Sequence, residues 1–267
     1  MIQENFLDNS AGWLIFFCSI ALMMVGNYVG YRIGKWHLQQ SPAIKDSASG
    51  EIMGAIFGIL GFTLAFLFGM SLTRLEHKKE LVRDEASAIL LAYQNARFLP
   101  ESHKDQCSKT IINYASLRLQ IIQNARETGN LAAVREGILQ SERMQDSLLN
   151  AALQLTKTPG SDVSAFRQSV ATMIDLNIKR INNATGDRIP RALKVLMYTM
   201  ALLGLTCMGY VSGLKGQRSL IPNVMLVLVF ATIIGIILDM DHPANSLFQV
   251  NQQPMQDVLR RISSLRF

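Results

Sequence analysis

The sequence predicts an all-α membrane protein with four transmembrane helices and a four-helix bundle inserted between the second and third. Three observations support this fold class: four long hydrophobic stretches, a polar insert between the two pairs, and helical spacing throughout that insert. Each stretch has about 17–21 residues, enough to cross a bilayer core as a helix. Lys194, near the start of the third, is their single charged residue. The stretches are Trp13–Val29, Ile52–Leu72, Ala192–Val211 and Leu220–Leu238.

The polar insert is predicted to be helical because its apolar residues recur at helical spacing, with no alternating run of strand length. Residues that interrupt helices cut it into four segments. Four antiparallel helices bury these apolar stripes against one another and return the chain to the same side of the membrane. The interruptions lie at Pro100, Gly129-Asn130, Pro159-Gly160 and Gly186.

The boundaries follow from these patterns. We expect transmembrane helices over residues 1–73, the helical bundle over 74–190, a transmembrane hairpin over 191–243 and a polar tail over 244–267. No helix breaker separates Leu72 from Arg74, so the second span is predicted to continue into the first bundle helix. Within the tail, Met255–Leu265 has the pattern of a short amphipathic helix.

Composition disfavours several function classes. The chain carries 26 Lys and Arg against 20 Asp and Glu, and the two signs are interleaved along the insert. Interleaved charge is typical of a solvated helix face, so no nucleic-acid partner is expected. The three cysteines, Cys18, Cys107 and Cys207, are too scattered for a disulfide framework or a metal knuckle.

Catalysis is not predicted either. The sequence has no nucleophile elbow, phosphate-binding loop or metalloprotease helix, so we expect no enzyme, no catalytic residues and no cofactor. Proton-driven transport usually leaves ionisable residues inside the spans, and these are nearly absent here.

The charges beside the spans favour one orientation in the bilayer. Arg32, Lys35, Lys215 and Arg218 flank the two short loops between spans. The positive-inside rule then places both short loops on the cytoplasmic side of the plasma membrane and the insert outside. Basic residues on the insert side, including Lys194, act against this assignment.

Small residues recur at spacings of three and four along the first two spans. Such stripes allow helix backbones to approach closely in lipid, which predicts tight packing between these spans or between subunits. The alternative is that glycine is simply frequent in membrane helices. The residues are Gly26, Gly30 and Gly34 in the first span and Gly54, Gly58, Gly61, Ala65 and Gly69 in the second.

The second span is also rich in phenylalanine. In an oligomer, Phe57, Phe62 and Phe66 are candidates for a hydrophobic constriction that gates by dewetting. Aromatic residues that face lipid or the protein core are the alternative.

Charged residues lie just beyond the ends of the second and fourth spans, on the insert side. Arg74 with Asp239 or Asp241 is predicted to form an ion pair that clamps these spans, and Glu85 is grouped with this cluster. His242 with the two aspartates is considered as a cation site, but no fourth ligand is evident, and we expect no metal.

Two stretches carry a family resemblance. The first runs from Leu60 through Arg74 to the Glu85-Ala-Ser-Ala-Ile segment, and the second is Asp239-Met-Asp241-His-Pro243. Together they resemble the bacterial bestrophin-like family. This chain departs from the family pattern with His242 before the proline, where Arg is usual, and with Asn245 where a Gly is usual.

The resemblance implies kinship to bestrophins, which are pentameric anion channels with helical cytosolic extensions. It therefore implies a cytosolic insert, contrary to the charge pattern, and this chain has no acidic calcium-binding run of the bestrophin kind. The expected function is an oligomeric, anion-permeable channel in a lipid bilayer, with small ions as its ligands. The alternative is a non-conducting sensor or interaction protein that works through its helical insert.

Overall fold

The computed structural model describes residues 12–40, 49–127, 130–156, 163–185, 189–216, 220–241, 248 and 250–265. Eight α-helices account for most of these residues, and the all-α prediction is confirmed. They are α1 (Gly12–Gln40), α2 (Ser49–Ala96), α3 (Glu101–Glu127), α4 (Leu131–Thr156), α5 (Ser164–Thr185), α6 (Arg191–Leu214), α7 (Leu220–Asp241) and α8 (Gln253–Ser264).

The chain divides into two compact units. The membrane unit comprises Met1–Arg74, Arg188–His242 and Ser246–Phe248. The helical unit comprises Leu75–Asp187, Pro243–Asn245 and Gln249–Phe267.

Four helices are long and apolar enough to cross a membrane: α1, α2, α6 and α7. Helix α2 runs without interruption for 48 residues, as the lack of a breaker after Leu72 predicts. About 20 residues suffice to cross the hydrocarbon core. We therefore take the uncharged stretch Ile52–Leu72 as the membrane-spanning part of α2 and treat the rest of the helix as lying outside the bilayer.

Glycines bring α1 and α6 into backbone contact. A Cβ atom built on Gly30 would lie 2.0 Å from the Thr206 carbonyl oxygen, and one on Gly34 would lie 2.1 Å from that of Tyr210. Larger residues at these positions would force the helices apart. Residue numbers rise together along this contact, so α1 and α6 run parallel.

The remaining helices of the membrane unit pack on this pair. Asn27 of α1 donates a hydrogen bond to the Leu205 carbonyl oxygen at 3.1 Å, and Asn223 of α7 donates to the Asn27 side-chain oxygen at 3.3 Å. Side-chain amides thus link the helices where lipid offers no competing partner. The apolar core takes residues from all four helices, among them Met23, Leu60, Leu64, Leu67, Met197, Leu205, Ala231 and Ile234.

The helical unit is built from the C-terminal part of α2 together with α3, α4, α5 and α8. Its centre is apolar, with Ile89, Ile111, Tyr114, Phe166 and Met173 almost fully buried.

Helix α8, at the position predicted for a tail helix, adds a fifth element to this unit. It buries Met255, Val258 and Ile262 in the same core. The amphipathic pattern of the tail therefore reflects packing within the helical unit.

Replacing Gly30 with Ala is expected to destabilise the membrane unit by about 3 kcal/mol, because the new methyl group meets backbone atoms that cannot move independently. Gly235→Ala is the matched control, since the nearest atom to its Cβ is a Phe16 ring carbon at 3.2 Å, which can move aside. Thermal unfolding of both variants in detergent measures the difference. Equal melting temperatures would show that the α1–α6 contact does not limit stability.

Candidate functional site

Helix α2 presents two opposite faces in the membrane unit. Leu60, Leu64, Leu67 and Ser71 form a stripe that is buried against α6 and α7. The opposite side of the helix is exposed, and we call it the bare face. It consists of Gly54, Gly58, Phe62, Ala65, Phe66 and Gly69.

The bare face carries no charge, and its side chains are exposed in the part of the chain that the structure describes. A Cβ atom built on Gly54, Gly58, Gly61 or Gly69 would meet no atom within 4 Å. A shallow hollow of about 420 Å³ lies at its end, lined by residues from Ala65 to Arg74. The glycines of α2 therefore differ from those of α1, which pack against α6.

The three phenylalanines proposed for a constriction lie on different sides of α2. Phe62 and Phe66 are on the bare face, with 75% and 58% of their surfaces exposed. Phe57 lies on the buried side, where its ring stacks on Phe230 of α7 with centroids 5.9 Å apart. Only Phe62 and Phe66 are thus free to face another subunit or an axial pore.

Asp241, at the end of α7, is the centre of a polar cluster in the membrane unit. Its carboxylate accepts a hydrogen bond from the Ile189 backbone N–H at 2.8 Å and lies 2.7 Å from the Lys194 ammonium. The Arg74 guanidinium is farther away, at 4.0 Å. One buried carboxylate therefore connects the end of α7 to the start of α6 and to α2.

The structure separates the four residues that the sequence analysis groups together. Arg74 and Asp241 lie within ion-pair range. Asp239 precedes Asp241 by two positions on a helix of 3.6 residues per turn, so it points to the other side of α7. Glu85 belongs to the helical unit, three turns along α2 from Arg74, and has partners of its own. His242 and Pro243 lie outside the described residues.

Glu85 is fully buried in the helical unit and is held by two arginines. Arg118 of α3 donates from Nε at 2.8 Å, and Arg180 of α5 donates from Nη1 to the other carboxylate oxygen. The Tyr114 hydroxyl donates to Glu85 at 3.2 Å. The carboxylate is thus fixed by donors from two other helices.

The network extends through amide side chains. Gln145 of α4 donates to the Tyr114 hydroxyl at 3.0 Å, and Asn177 of α5 donates to Gln145 at 3.3 Å. Arg180 also donates to Gln252, next to the start of α8, at 2.8 Å. Every helix of the helical unit therefore has a polar link to the centre.

The charges of the network oppose the cost of its burial. Burial by itself would raise the pKa of the Glu85 carboxyl, but the positive charges of Arg118 and Arg180 outweigh this and hold the pKa below its ordinary value. Burial and the neighbouring Glu85 charge raise the pKa of the Tyr114 hydroxyl. Glu85 is thus ionised and Tyr114 neutral at physiological pH.

The partners of Glu85 and the contact between Lys194 and Asp241 were not predicted from the sequence. The sequence did contain a signal for the partners of Glu85. Arg118 occupies the stripe of Ile111 and Ala115 on α3, and Asn177 occupies that of Val170 and Met173 on α5. A polar residue at a core position requires a buried partner, although the pattern does not identify it.

Metal binding has no support in the described part of the chain. Those residues contain no group of three or more His, Cys, Asp or Glu side chains that could hold a metal ion.

Comparison with known protein families shows to which family the chain belongs. A family model described as the bestrophin-like domain matches residues 17–255. The chain belongs to the bestrophin-like family. The resemblance carried by the Arg74 and Asp239–Pro243 segments is thereby confirmed.

Solved structures show the same bestrophin-like fold. Crystal structures of two variants of a bacterial bestrophin homologue from Klebsiella pneumoniae are similar to this chain. One has a TM-score of 0.69 at 13% sequence identity and covers 92% of this chain and 98% of its own. The other has a TM-score of 0.68 at 13% identity, with coverages of 96% and 99%. A search of curated proteins found no match.

Replacing Glu85 with Gln is expected to lower the free energy of unfolding by about 3–5 kcal/mol, because it leaves two buried guanidiniums without a countercharge. Glu80→Gln is the control on the same helix, since Glu80 is largely exposed and lies 3.7 Å from the ring of His77, which is also exposed. Thermal unfolding followed by circular dichroism compares the two variants. Similar melting temperatures would contradict a structural role for the Glu85 network.

The stabilisation of the folded state by Glu85 is expected to depend on pH. A carboxyl group whose pKa is lower in the folded state than its ordinary value of 4.5 stabilises the folded state fully at pH values above 4.5. This stabilisation is lost as the pH falls through the lower pKa of the folded state. The difference in melting temperature between wild type and Glu85→Gln should therefore be constant above about pH 5 and shrink below it. A difference that stays constant at lower pH would contradict the lowered pKa.

Proposed function

We propose that this bestrophin-like chain forms an oligomeric, anion-permeable channel whose pore is lined by the bare face of α2. Its family supports this proposal because bestrophins are anion channels. The observation that carries it is the bare face itself, an uncharged side of a membrane helix that no described residue covers. In an oligomer, copies of this face would surround a common axis.

The chemistry of the bare face suits a constriction with no fixed charge. Phe62 and Phe66 project from it where the neighbouring glycines leave space. A ring of such side chains narrows a pore and controls its wetting without binding ions tightly. Arg74 lines the hollow at the end of this face together with Phe66 and Gly69. Its positive charge there favours anions over cations.

A homo-oligomer is part of the same proposal. One chain supplies a single α2, and one helix cannot enclose a pore. Small residues at Gly54, Gly58, Ala65 and Gly69 allow another helix to approach this side of α2 closely. The small residues of the bare face would therefore let the copies of α2 lie close together around the pore axis.

Current through the purified oligomer in planar bilayers tests the proposal. A chloride gradient should shift the reversal potential toward the chloride equilibrium value, and Phe62→Ala should raise the single-channel conductance severalfold by widening the constriction. Phe98→Ala is the matched control, because Phe98 is also strongly exposed but lies in the helical unit. A monomer in detergent, or well-folded oligomers that pass no current in any salt or pH, would instead favour the non-conducting sensor.

A further inference from the structure

A second surface of the membrane unit is a groove between α1, α2 and α6, with a volume of about 420 Å³. Met200 and Tyr210 line it ten residues apart on α6, so it extends about 15 Å along the helix. All its lining residues belong to candidate membrane spans. They are Gly30, Ile33, Ile56, Ile59, Met200, Leu203, Thr206, Cys207 and Tyr210.

The groove is suited to a hydrocarbon chain. Gly30 has no side chain and touches the α6 backbone, so it forms part of the floor. Ile33, Ile59 and Leu203 form the walls, and each has about half of its surface exposed. The Thr206 hydroxyl already donates to the Leu202 carbonyl oxygen at 2.7 Å. An acyl chain therefore finds apolar contacts and leaves that hydroxyl satisfied.

A polar pair stands at the end of the groove nearest the short loops. His37 follows Gly30 and Ile33 by seven and four positions, so it lies on the same side of α1. Its Nδ1 atom is 2.7 Å from the hydroxyl of Tyr210, which lines the groove. When Tyr210 donates this hydrogen bond, the neutral ring carries its proton on Nε2 and offers that N–H to a further acceptor.

The surroundings of this end are mainly positive. The Cβ position of Gly213 lies 2.8 Å from the Lys35 backbone nitrogen, which brings the end of α6, with Lys215, beside Lys35. Helix α2 begins at Ser49 on the same side, and the N-terminal end of a helix dipole favours an anion. Glu51 is the one acidic residue in the first turn of α2. An anionic group is thus favoured beside His37.

We propose that this groove binds one phospholipid with an anionic headgroup per subunit. One acyl chain would lie along Leu203 and Ile59, and the phosphate would accept a hydrogen bond from His37. The charge at the open end favours a lipid over a second copy of the chain, whose own span is apolar at this depth. The proposal concerns a lipid site and does not require the chain to conduct.

Native mass spectrometry of the full-length oligomer tests this site. The protein is released from mixed micelles that contain phosphatidylglycerol and phosphatidylcholine with identical acyl chains. Wild type should retain phosphatidylglycerol with about tenfold preference, which corresponds to 1.4 kcal/mol. Leu203→Trp fills the groove and should reduce retained lipid about tenfold. Ile59→Trp serves as a second groove-filling variant if the first fails to fold.

Val229→Trp is the matched control, since Val229 on α7 is exposed to the same extent as Leu203 but lies outside the groove. It should retain lipid as wild type does. Headgroup recognition is tested separately with His37→Ala, which should reduce the preference for phosphatidylglycerol toward one while phosphatidylcholine binding stays unchanged. His37→Arg should restore the preference.

Three results would overturn the proposal. Equal lipid loss in Leu203→Trp and Val229→Trp would show that the groove has no special role. Equal retention of the two lipids by wild type would remove the headgroup contact. A change in subunit number in the groove-filling variants, with lipid retention unaltered, would identify the groove as an interface between copies. Since no current is measured, failure of the channel proposal would leave these results interpretable.

Discussion

The contact between the backbones of α1 and α6 is the interaction on which the membrane unit depends. Lipid tails are as apolar as leucine side chains, so membrane helices gain little from hydrophobic burial and associate through close packing. Gly30 and Gly34 on α1, with Gly209 on α6, provide that packing, because none of them tolerates a Cβ atom without moving backbone. With α1 and α6 paired, α7 and the leucine stripe of α2 complete the core, and the described residues leave the other side of α2 uncovered.

The helical unit is organised by a different interaction. Its core is mainly apolar, and Glu85, Arg118, Arg180 and the side chains bonded to them form a polar network within it. Replacing a buried ion network with apolar residues often costs no stability, so its presence is better explained by specificity than by strength. A network of this kind favours one pairing and register of the helices, because its donors and acceptors come from different helices and must meet one another. Helix α8 joins through Gln252 and Arg180.

Much of this architecture follows from local patterns in the sequence. The spans are evident from hydrophobic length, the continuous α2 from the lack of a breaker after Leu72, and α8 from its amphipathic tail. The partners of the α1 glycines and of Glu85 could not be predicted from the sequence. A periodic pattern identifies which face of a helix is packed, but it does not identify the helix that packs against that face. Phe57 shows this limit of prediction from sequence. It is a phenylalanine of the same helix as Phe62 and Phe66, and only the packing of α2 shows that its ring is partly buried while theirs are exposed.

The central claim is that one side of α2 lines a conducting pore. Single cysteines introduced along α2, after replacement of Cys18, Cys107 and Cys207 by Ala, test it through block of current by a charged, water-soluble thiol reagent. The account predicts rapid block at the positions of Phe62, Ala65 and Gly69, and slow or no block at Leu60, Leu64 and Leu67, with helical periodicity. Uniform protection of all six positions in channels that still conduct would contradict it, because ions would then cross the membrane by another path.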